Sequence, residues 1–293
     1  MNITYIIGLV MAILVFLLGC VLGISIGPSA DAAKQLALEA GEEWSAITFT
    51  PSNLWNFFDA ASIFIVIGCT LAIVVACFPA STLASIPKHF GVMLNANKFN
   101  PMTYIDQLVE LAQTARKNGL LALESKANEQ EDPFFKMAIM LIVDANDPDK
   151  VRSILENDIE WMSARHEDSA ALYDKASSVA PAFGMVGTLV GLINMLAGMD
   201  VSSGGGNLGK DMGTALITTL YGCILAHMIF GPIANNLRTR DSEEVLCKQI
   251  IVEGIMSIQS GENPKALREK LLTYIPQGQR EDSGKQSGGG GGE

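Results

Sequence analysis

Four long apolar runs with almost no charge constrain this chain more than any other feature. They are Ile3–Ile26, Phe57–Phe78, Ala176–Met199 and Met212–Leu237. Each is long enough to cross a bilayer as a helix, which takes about 20 apolar residues. The first run is too long in its apolar core for a secretory signal and lacks the basic start of one. The sequence therefore predicts an all-α membrane protein with four transmembrane helices.

Lysine and arginine are distributed unevenly around these runs. The loops 27–56 and 200–211 have one basic residue each, whereas 79–175 and 238–293 hold all the others. An excess of basic residues beside the spans marks the cytoplasmic side of a membrane. We therefore expect a multi-pass protein of the bacterial inner (cytoplasmic) membrane with both termini in the cytoplasm.

This topology divides the chain into five segments. They are 1–78, with the first two transmembrane helices and an outer loop at 27–56; 79–175, a cytoplasmic helical domain; 176–237, with the last two transmembrane helices; 238–275, a helical C-terminal tail; and 276–293, a disordered tail. Within the outer loop, residues 30–44 have the composition of a short helix. In the cytoplasmic domain, Gly119 suits the C-cap of one helix and Asp132-Pro133 opens another. Asp147-Pro148 opens a helix that we expect to continue into the third span as one rod, broken or kinked near Pro181.

Charge and cysteine content exclude several classes of function. The net charge of -11 disfavours nucleic acid, which needs a basic surface. Four of the five cysteines lie in the apolar runs, and no spacing resembles a zinc site. We expect no resident cofactor, no nucleic-acid partner and no enzyme activity.

Three threonines in the last two runs are the first candidates for function. Thr188, Thr218 and Thr219 lie in sequence without Asp, Glu, Lys or Arg. Hydroxyl oxygens can replace water around a hard cation such as Na⁺. Thr218 and Thr219 are adjacent, so one would face the pore and the other a neighbouring helix. The alternative is ordinary helix packing, with each hydroxyl bonded to its own backbone.

Asp59 is the only acid within the four runs. Cation transport normally uses a carboxylate inside the membrane. If this chain conducts ions, a partner must supply that group. Asp59, at the outer entrance of the second run, either collects cations or caps its helix.

Small residues and prolines mark other positions in the last two runs. Gly184, Gly187 and Gly191 suit close helix packing. Pro181 and Pro232 either end helices or act as coupling hinges. His227, in the fourth run, is interpreted as a packed or interfacial side chain rather than a proton relay.

At these residues the chain closely resembles the MotA/PomA family of flagellar stator subunits. The matching runs are VAPAFGMVGTLVGLINML (179–196), ALITTLYGCILAHMIFGPIANNL (215–237), LVELAQTARKNGLLALE (108–124), DAASIFIVIG (59–68) and VEGIMSIQSGENP (252–264). The outer loop 27–56 departs from the family, which usually has only a few residues there.

The resemblance implies an assembly and a set of roles. The assembly is a pentamer of this chain around a dimer of a MotB/PomB-like subunit. A transmembrane Asp of that subunit carries the ion. Ion flow turns the pentamer, which drives the rotor protein FliG. The roles are FliG contact for Arg116 and Glu124, coupling for Pro181 and Pro232, and a sodium path at Thr188, Thr218, Thr219 and Asp59. Transported Na⁺ is expected, with H⁺ as the other possibility.

Two rival functions follow from the same features. An ExbB/TolQ-like proton-channel energiser of outer-membrane processes has a related architecture, but that family typically has three spans. A non-conducting membrane scaffold would use its threonines only for packing. On charge alone, Arg116, Lys117 and Glu124 are simply solvated.

Overall fold

The structure, a computed structural model, describes most of the chain as helix. The described residues are 3–24, 47–49, 54–55, 57–94, 99–198 and 208–277. They divide into two compact units: unit 1 is Met1–Leu94 with Ser169–Asn236, and unit 2 is Asn95–Asp168 with Leu237–Glu293. Unit 2 thus joins residues that the sequence analysis placed in separate cytoplasmic segments.

The first helix, α1 (Ile3–Val21), is shorter than the predicted span. Its run was expected to stay helical to Ile26, but the chain turns at Leu22 into a three-residue strand, β1 (Leu22–Ile24). This strand pairs antiparallel with β2 (Ile47–Phe49). The described fold is helical, as predicted, apart from this three-residue strand pair. The helix predicted at 30–44 lies outside the described residues.

Among the residues that the structure describes, three helical runs are long and apolar enough to cross a membrane: Ala60–Cys77, Pro148–Ala197 and Gly209–Gln259. The described side chains of α1 add a shorter apolar stretch, Ile7–Leu18, that is exposed along nearly its whole length. An all-round apolar helix needs lipid or protein around it. The predicted number of four spans remains a prediction.

The next helix of unit 1 is α2 (Ala60–Cys77), which contains a π-helical segment at Phe64–Gly68. Two short helices follow, α3 (Ala80–Leu83) and α4 (Ile86–Leu94). In α2, the buried positions Ser62, Val66, Thr70 and Val74 recur every four residues, so one face packs inward.

Two long helical runs contribute to both units. Helix α8 (Pro148–Ala197) continues through Pro181, so the predicted rod is one helix without a break at the proline, and a kink there stays a prediction. Helix α9 (Leu208–Ile224) passes through a π-helical segment, Leu225–Phe230, into α10 (Gly231–Gln259).

Unit 2 is a helical bundle with its own apolar core. Its other helices are α5 (Pro101–Asn118), α6 (Leu123–Asn128), α7 (Pro133–Val143) and α11 (Pro264–Leu272), with a 3₁₀ turn at Leu120–Ala122 between α5 and α6. Ile105, Phe135, Leu155, Ile255 and Leu267 are fully buried, one from each of five helices. Burying side chains of this size stabilises a fold by about 1.5–3 kcal/mol each.

The predicted helix boundaries of unit 2 are confirmed where capping residues were recognised. The side chain of Asp132 accepts a hydrogen bond from the Phe134 N–H, with Pro133 at the first position of α7. Gly119 ends α5 with a φ of 82°, a conformation that favours glycine. The Asp132 side chain and the backbone conformation of Gly119 therefore set these two helix ends independently of the core.

A charged network joins three helices of unit 2. Glu253 of α10 accepts hydrogen bonds from Arg152 of α8 at 2.8 Å and pairs with Lys270 of α11 at 3.1 Å. Burial raises the pKa of Glu253, but the hydrogen bonds from Arg152 and Lys270 outweigh it and hold the pKa below its ordinary value of 4.5. The network therefore stabilises the charged carboxylate.

Replacing Glu253 by Gln is expected to lower the free energy of unfolding by about 1–3 kcal/mol, because hydrogen bonds to a charged group are lost. A carboxyl with a depressed folded pKa stabilises the fold above its unfolded pKa and loses that contribution as pH falls through the folded pKa. Thermal unfolding of the detergent-solubilised chain between pH 7 and pH 3 measures both effects. An E253Q protein with the same acid sensitivity as the original would contradict this assignment, and Glu269→Gln, exposed on α11, is the control.

Candidate functional site

Two of the three predicted threonines meet across helices in unit 1. The hydroxyl oxygens of Thr188, on α8, and Thr219, on α9, lie 2.6 Å apart. Thr188 is half-buried and Thr219 is exposed. The pair therefore lies at the exposed edge of the contact between α8 and α9. The runs that contain it, 176–198 and 212–237, have no charged side chain.

The carbonyl oxygens around this pair favour one arrangement of its hydrogens. The Thr188 hydroxyl lies 3.1 Å from the carbonyl oxygens of both Gly184 and Ala215. A hydroxyl has one hydrogen. If Thr188 donated it to Thr219, both carbonyls would face an oxygen lone pair at hydrogen-bond distance. Donation to one carbonyl leaves only the other in that position, and Thr219 then donates to Thr188. In this arrangement the Thr219 oxygen keeps both lone pairs available to a ligand.

Thr218 occupies a different environment from the other two threonines. Its side chain is fully buried, and its hydroxyl donates to the Ala215 carbonyl at 2.8 Å. It packs against Gly187, where an added Cβ would lie only 2.5 Å from the Thr218 methyl carbon. Within this chain, Thr218 faces α8 and Thr219 faces outward.

Close approach of α8 and α9 depends on glycine at four positions. Cβ atoms at Gly184, Gly187 and Gly191 would all lie 3.0 Å or closer to atoms of α9. The sequence analysis selected these three as packing residues. It missed Gly222, where a Cβ would lie 2.7 Å from the Ala180 carbonyl oxygen. The hydroxyls of Thr188 and Thr219 can meet only because the backbones approach this closely.

Asp59 is the N-cap of α2. Its carboxylate accepts hydrogen bonds from the Ser62 N–H at 2.9 Å and from the Ser62 hydroxyl. The Tyr221 hydroxyl, on α9, donates to the Phe57 carbonyl and receives the Asp59 N–H at 3.4 Å. Asp59 thus caps its helix in the structure, and its role in collecting cations stays a prediction. Ser62 follows Asp59 by three residues, a spacing that could have revealed the cap; nothing in the sequence indicated Tyr221.

The two prolines lie near a single contact between α8 and the π-helical segment. Pro181 has no N–H, so the Ser177 carbonyl loses its usual helical partner. The Ser177 hydroxyl donates to the Ala226 carbonyl at 3.0 Å, and Ala226 also accepts from the Gly231 N–H just before Pro232. A hinge role for the prolines remains a prediction.

The outward face of α9 carries further polar side chains. Thr219, Cys223 and His227 follow one another at four-residue spacing, and all three are exposed. His227 is exposed in the described part of this chain, and its interpretation as a packed or interfacial side chain remains a prediction. Polar groups in a membrane helix rarely face lipid.

Arg116 and Glu124 lie in unit 2, at the end of α5 and the start of α6, and both are exposed. Neither has an ion pair to any residue that the structure describes. The nearby Lys126, in contrast, pairs with Glu129 at 3.1 Å. Their predicted role in contacting a rotor has no test within a single chain.

Comparison with known proteins places these features in a family. Residues 126–275, just over half of the chain, match the MotA/TolQ/ExbB proton channel family. Motility protein A of Borreliella burgdorferi is 38% identical over 244 residues, covering 83% of this chain and 93% of the relative. Chemotaxis protein PomA of Vibrio alginolyticus is 38% identical over 228 residues, covering 78% and 88%.

A solved structure supports the same relationship. The flagellar MotAB stator complex from Bacillus subtilis superimposes with a TM-score of 0.73 at 30% identity, covering 86% of this chain and 96% of that one. At this coverage the similarity extends over both units. The chain therefore belongs to the MotA/TolQ/ExbB proton channel family.

Proposed function

We propose that this chain is a flagellar stator subunit that, with a second membrane polypeptide, forms a cation channel and converts ion flow into torque on the rotor. The family match supports the ion channel, and the relatives named motility protein A and PomA support a role in motility. The chain would lie in the bacterial inner membrane with four spans and both termini in the cytoplasm, as its basic residues indicate.

The observation that carries this proposal is the Thr188–Thr219 pair on an uncharged, exposed helix face. Lone pairs without hydrogens are ligands for a dehydrated cation. The described parts of 60–77, 176–198 and 212–237 contain no acidic side chain. A cation crossing there needs a compensating carboxylate. We assign that group to a MotB/PomB-like partner, and the MotAB stator complex among the structural relatives supports such a partner.

Sodium is the cation that we propose. Na⁺ prefers oxygen ligands, which the threonine pair offers, whereas a proton could be carried by the partner's carboxylate without either hydroxyl. Similarity to PomA is consistent with this choice. The family as a whole is described as a proton channel, so H⁺ is the rival that an experiment must exclude.

Thr218 supports the site indirectly in this proposal. Its hydroxyl is committed to the Ala215 carbonyl and its methyl group packs on Gly187. Both contacts fix the separation of α8 and α9, so Thr218 is a positioning residue. Thr188 and Thr219 are the direct ligands.

The assembly that we propose is a pentamer of this chain around a dimer of the partner. The exposed apolar surface of α1 and the exposed polar face of α9 leave room for both kinds of neighbour. Exposed Arg116 and Glu124 would contact FliG on the rotor, with Pro181 and Pro232 coupling ion passage to unit 2. Each charge crossing the membrane supplies about 2.3 kcal/mol per 100 mV.

Swimming speed of the bacterium that carries this chain is expected to rise with external sodium at constant membrane potential, because the ion gradient drives rotation. Addition of a proton uncoupler in sodium medium at alkaline pH should leave most of the motility. Video tracking over a sodium series measures both effects. Motility that persists without sodium and stops with the uncoupler would assign the channel to protons.

A further inference from the structure

A single leucine stands out on the surface of unit 2. Leu121 is 75% exposed, the highest value for a large apolar side chain in the described part of this unit. Only Trp161, at 62%, and Tyr274, at 37%, are otherwise more than a third exposed there. One exposed leucine needs no explanation by itself, so its setting decides what it means.

The backbone holds Leu121 outward. It is the middle residue of the 3₁₀ turn Leu120–Ala122, which begins at Gly119 with its positive φ. Leu123, two residues later, is fully buried in the core, and Leu120 is half-buried against it. The turn is therefore fixed on both sides while Leu121 itself is left in solvent. Because its backbone is already fixed, covering Leu121 costs only the rotamer freedom of the side chain.

Charges of opposite sign border this leucine. Arg116 and Lys117 end α5 on one side, and Glu124 lies three residues beyond Leu121 on the other. None of the three has an ion pair to a described residue. Other exposed charges of α5 are paired, such as Asp106 with Arg268 at 2.5 Å. Charges without a partner in the described residues therefore flank an exposed apolar side chain along this segment.

We propose that Leu121 is the apolar centre of the protein-binding surface whose rim is Arg116, Lys117 and Glu124. Protein interfaces combine a buried apolar centre with a charged, solvated rim. The complementary partner is a protein surface with an apolar pocket between an acidic side chain, opposite Arg116 and Lys117, and a basic one, opposite Glu124. A lipid surface fits less well, since Glu124 would be repelled by anionic headgroups.

This inference rests on the proposed torque-generating contact and gives it a residue beyond the charged pair. Arginine and glutamate exposed to solvent contribute little binding energy and are screened by salt. Burying a leucine against a partner adds a contribution that salt does not screen. The contact should therefore survive salt concentrations at which the charges alone fail.

The test replaces the chromosomal copy with Leu121→Ser, Leu121→Met or Trp161→Ser in the bacterium that carries the chain. Leu121→Ser is expected to lower the stall torque of tethered cells by about fivefold or more, as loss of an interface centre does. Leu121→Met should retain most of the torque, and Trp161→Ser is the matched exposed control. Ion conduction and complex size on gel filtration should be unchanged in all three.

Each other outcome overturns the inference. Wild-type torque in Leu121→Ser would remove Leu121 from the contact while leaving the proposed function intact. Loss of conduction or of complex size would show that Leu121 contacts a second copy of this chain. Failure of the unmodified chain to drive sodium-dependent rotation would overturn the proposed function together with this inference. In a Leu121→Ser, Arg116→Ala double variant, strictly additive losses would show that the two residues belong to separate surfaces.

Discussion

Replacing Thr188 by Val is expected to raise the sodium concentration for half-maximal rotation by about tenfold or more, because a bond to a charged group is worth roughly 1.5–3 kcal/mol. Valine keeps the shape of threonine and removes only the oxygen. Thr219→Val should act in the same direction, since the two hydroxyls lie 2.6 Å apart. The measurement is the rotation speed of tethered cells over a sodium series.

Three further variants make this result specific. Thr188→Ser restores the oxygen and should restore sodium dependence. Thr114→Val removes a hydroxyl that is bonded to the Glu110 carbonyl at 3.0 Å in unit 2, and it should have no effect. Thr218→Val, which preserves the packing on Gly187, should retain more activity than Thr188→Val. Unchanged sodium dependence in Thr188→Val would assign that hydroxyl to packing alone.

Gly222→Val is expected to abolish motility and to reduce the amount of folded complex. The new Cβ would lie 2.7 Å from the Ala180 carbonyl oxygen and 3.0 Å from Pro181 Cα, both backbone atoms that cannot rotate away. Overpacking of this kind costs about 1–3 kcal/mol or more, and here it also separates α8 from α9 at the threonine site. Gel filtration of detergent extracts, immunoblotting and tracking of swimming cells measure the three effects.

Gly213→Val is the matched control, because Gly213 lies on the same helix with no atom within 4 Å of an added Cβ. It should leave both motility and complex size close to those of the original chain. Gly222→Ala should fall between the two, since its single methyl group meets the same carbonyl. If Gly222→Val assembles and swims normally, the close approach of α8 and α9 is not required for function.

Hydrophobic periodicity and capping residues were sufficient to predict much of the fold. Asp132 and Gly119 marked helix ends because their local hydrogen bonding and φ preferences do not depend on tertiary contacts. The strand pair was not predictable in the same way. The run that contains Leu22–Ile24 is uniformly apolar, so its period does not distinguish a strand from the end of a helix.

The candidate site was predicted by residue type and not by geometry. Hydroxyls in uncharged sequence identified all three threonines, and adjacency predicted that Thr218 and Thr219 point in different directions. Which of them faces outward depends on the contact between Thr218 and Gly187. Sequence spacing within one helix carries no information on the register between two helices. Gly222 was missed for the same reason, since it is isolated in α9 and its importance comes from Ala180 on the other helix.

The placement of hydrogens at the Thr188–Thr219 pair also sets the sign of the ions it accepts. When Thr188 donates to the Ala215 carbonyl and Thr219 donates to Thr188, both hydroxyl hydrogens are used within the chain. An anion such as chloride would find only oxygen lone pairs and no donor to bind it. A neutral pair of threonines can thus reject anions without any fixed charge, and the rejection should not weaken as salt concentration rises.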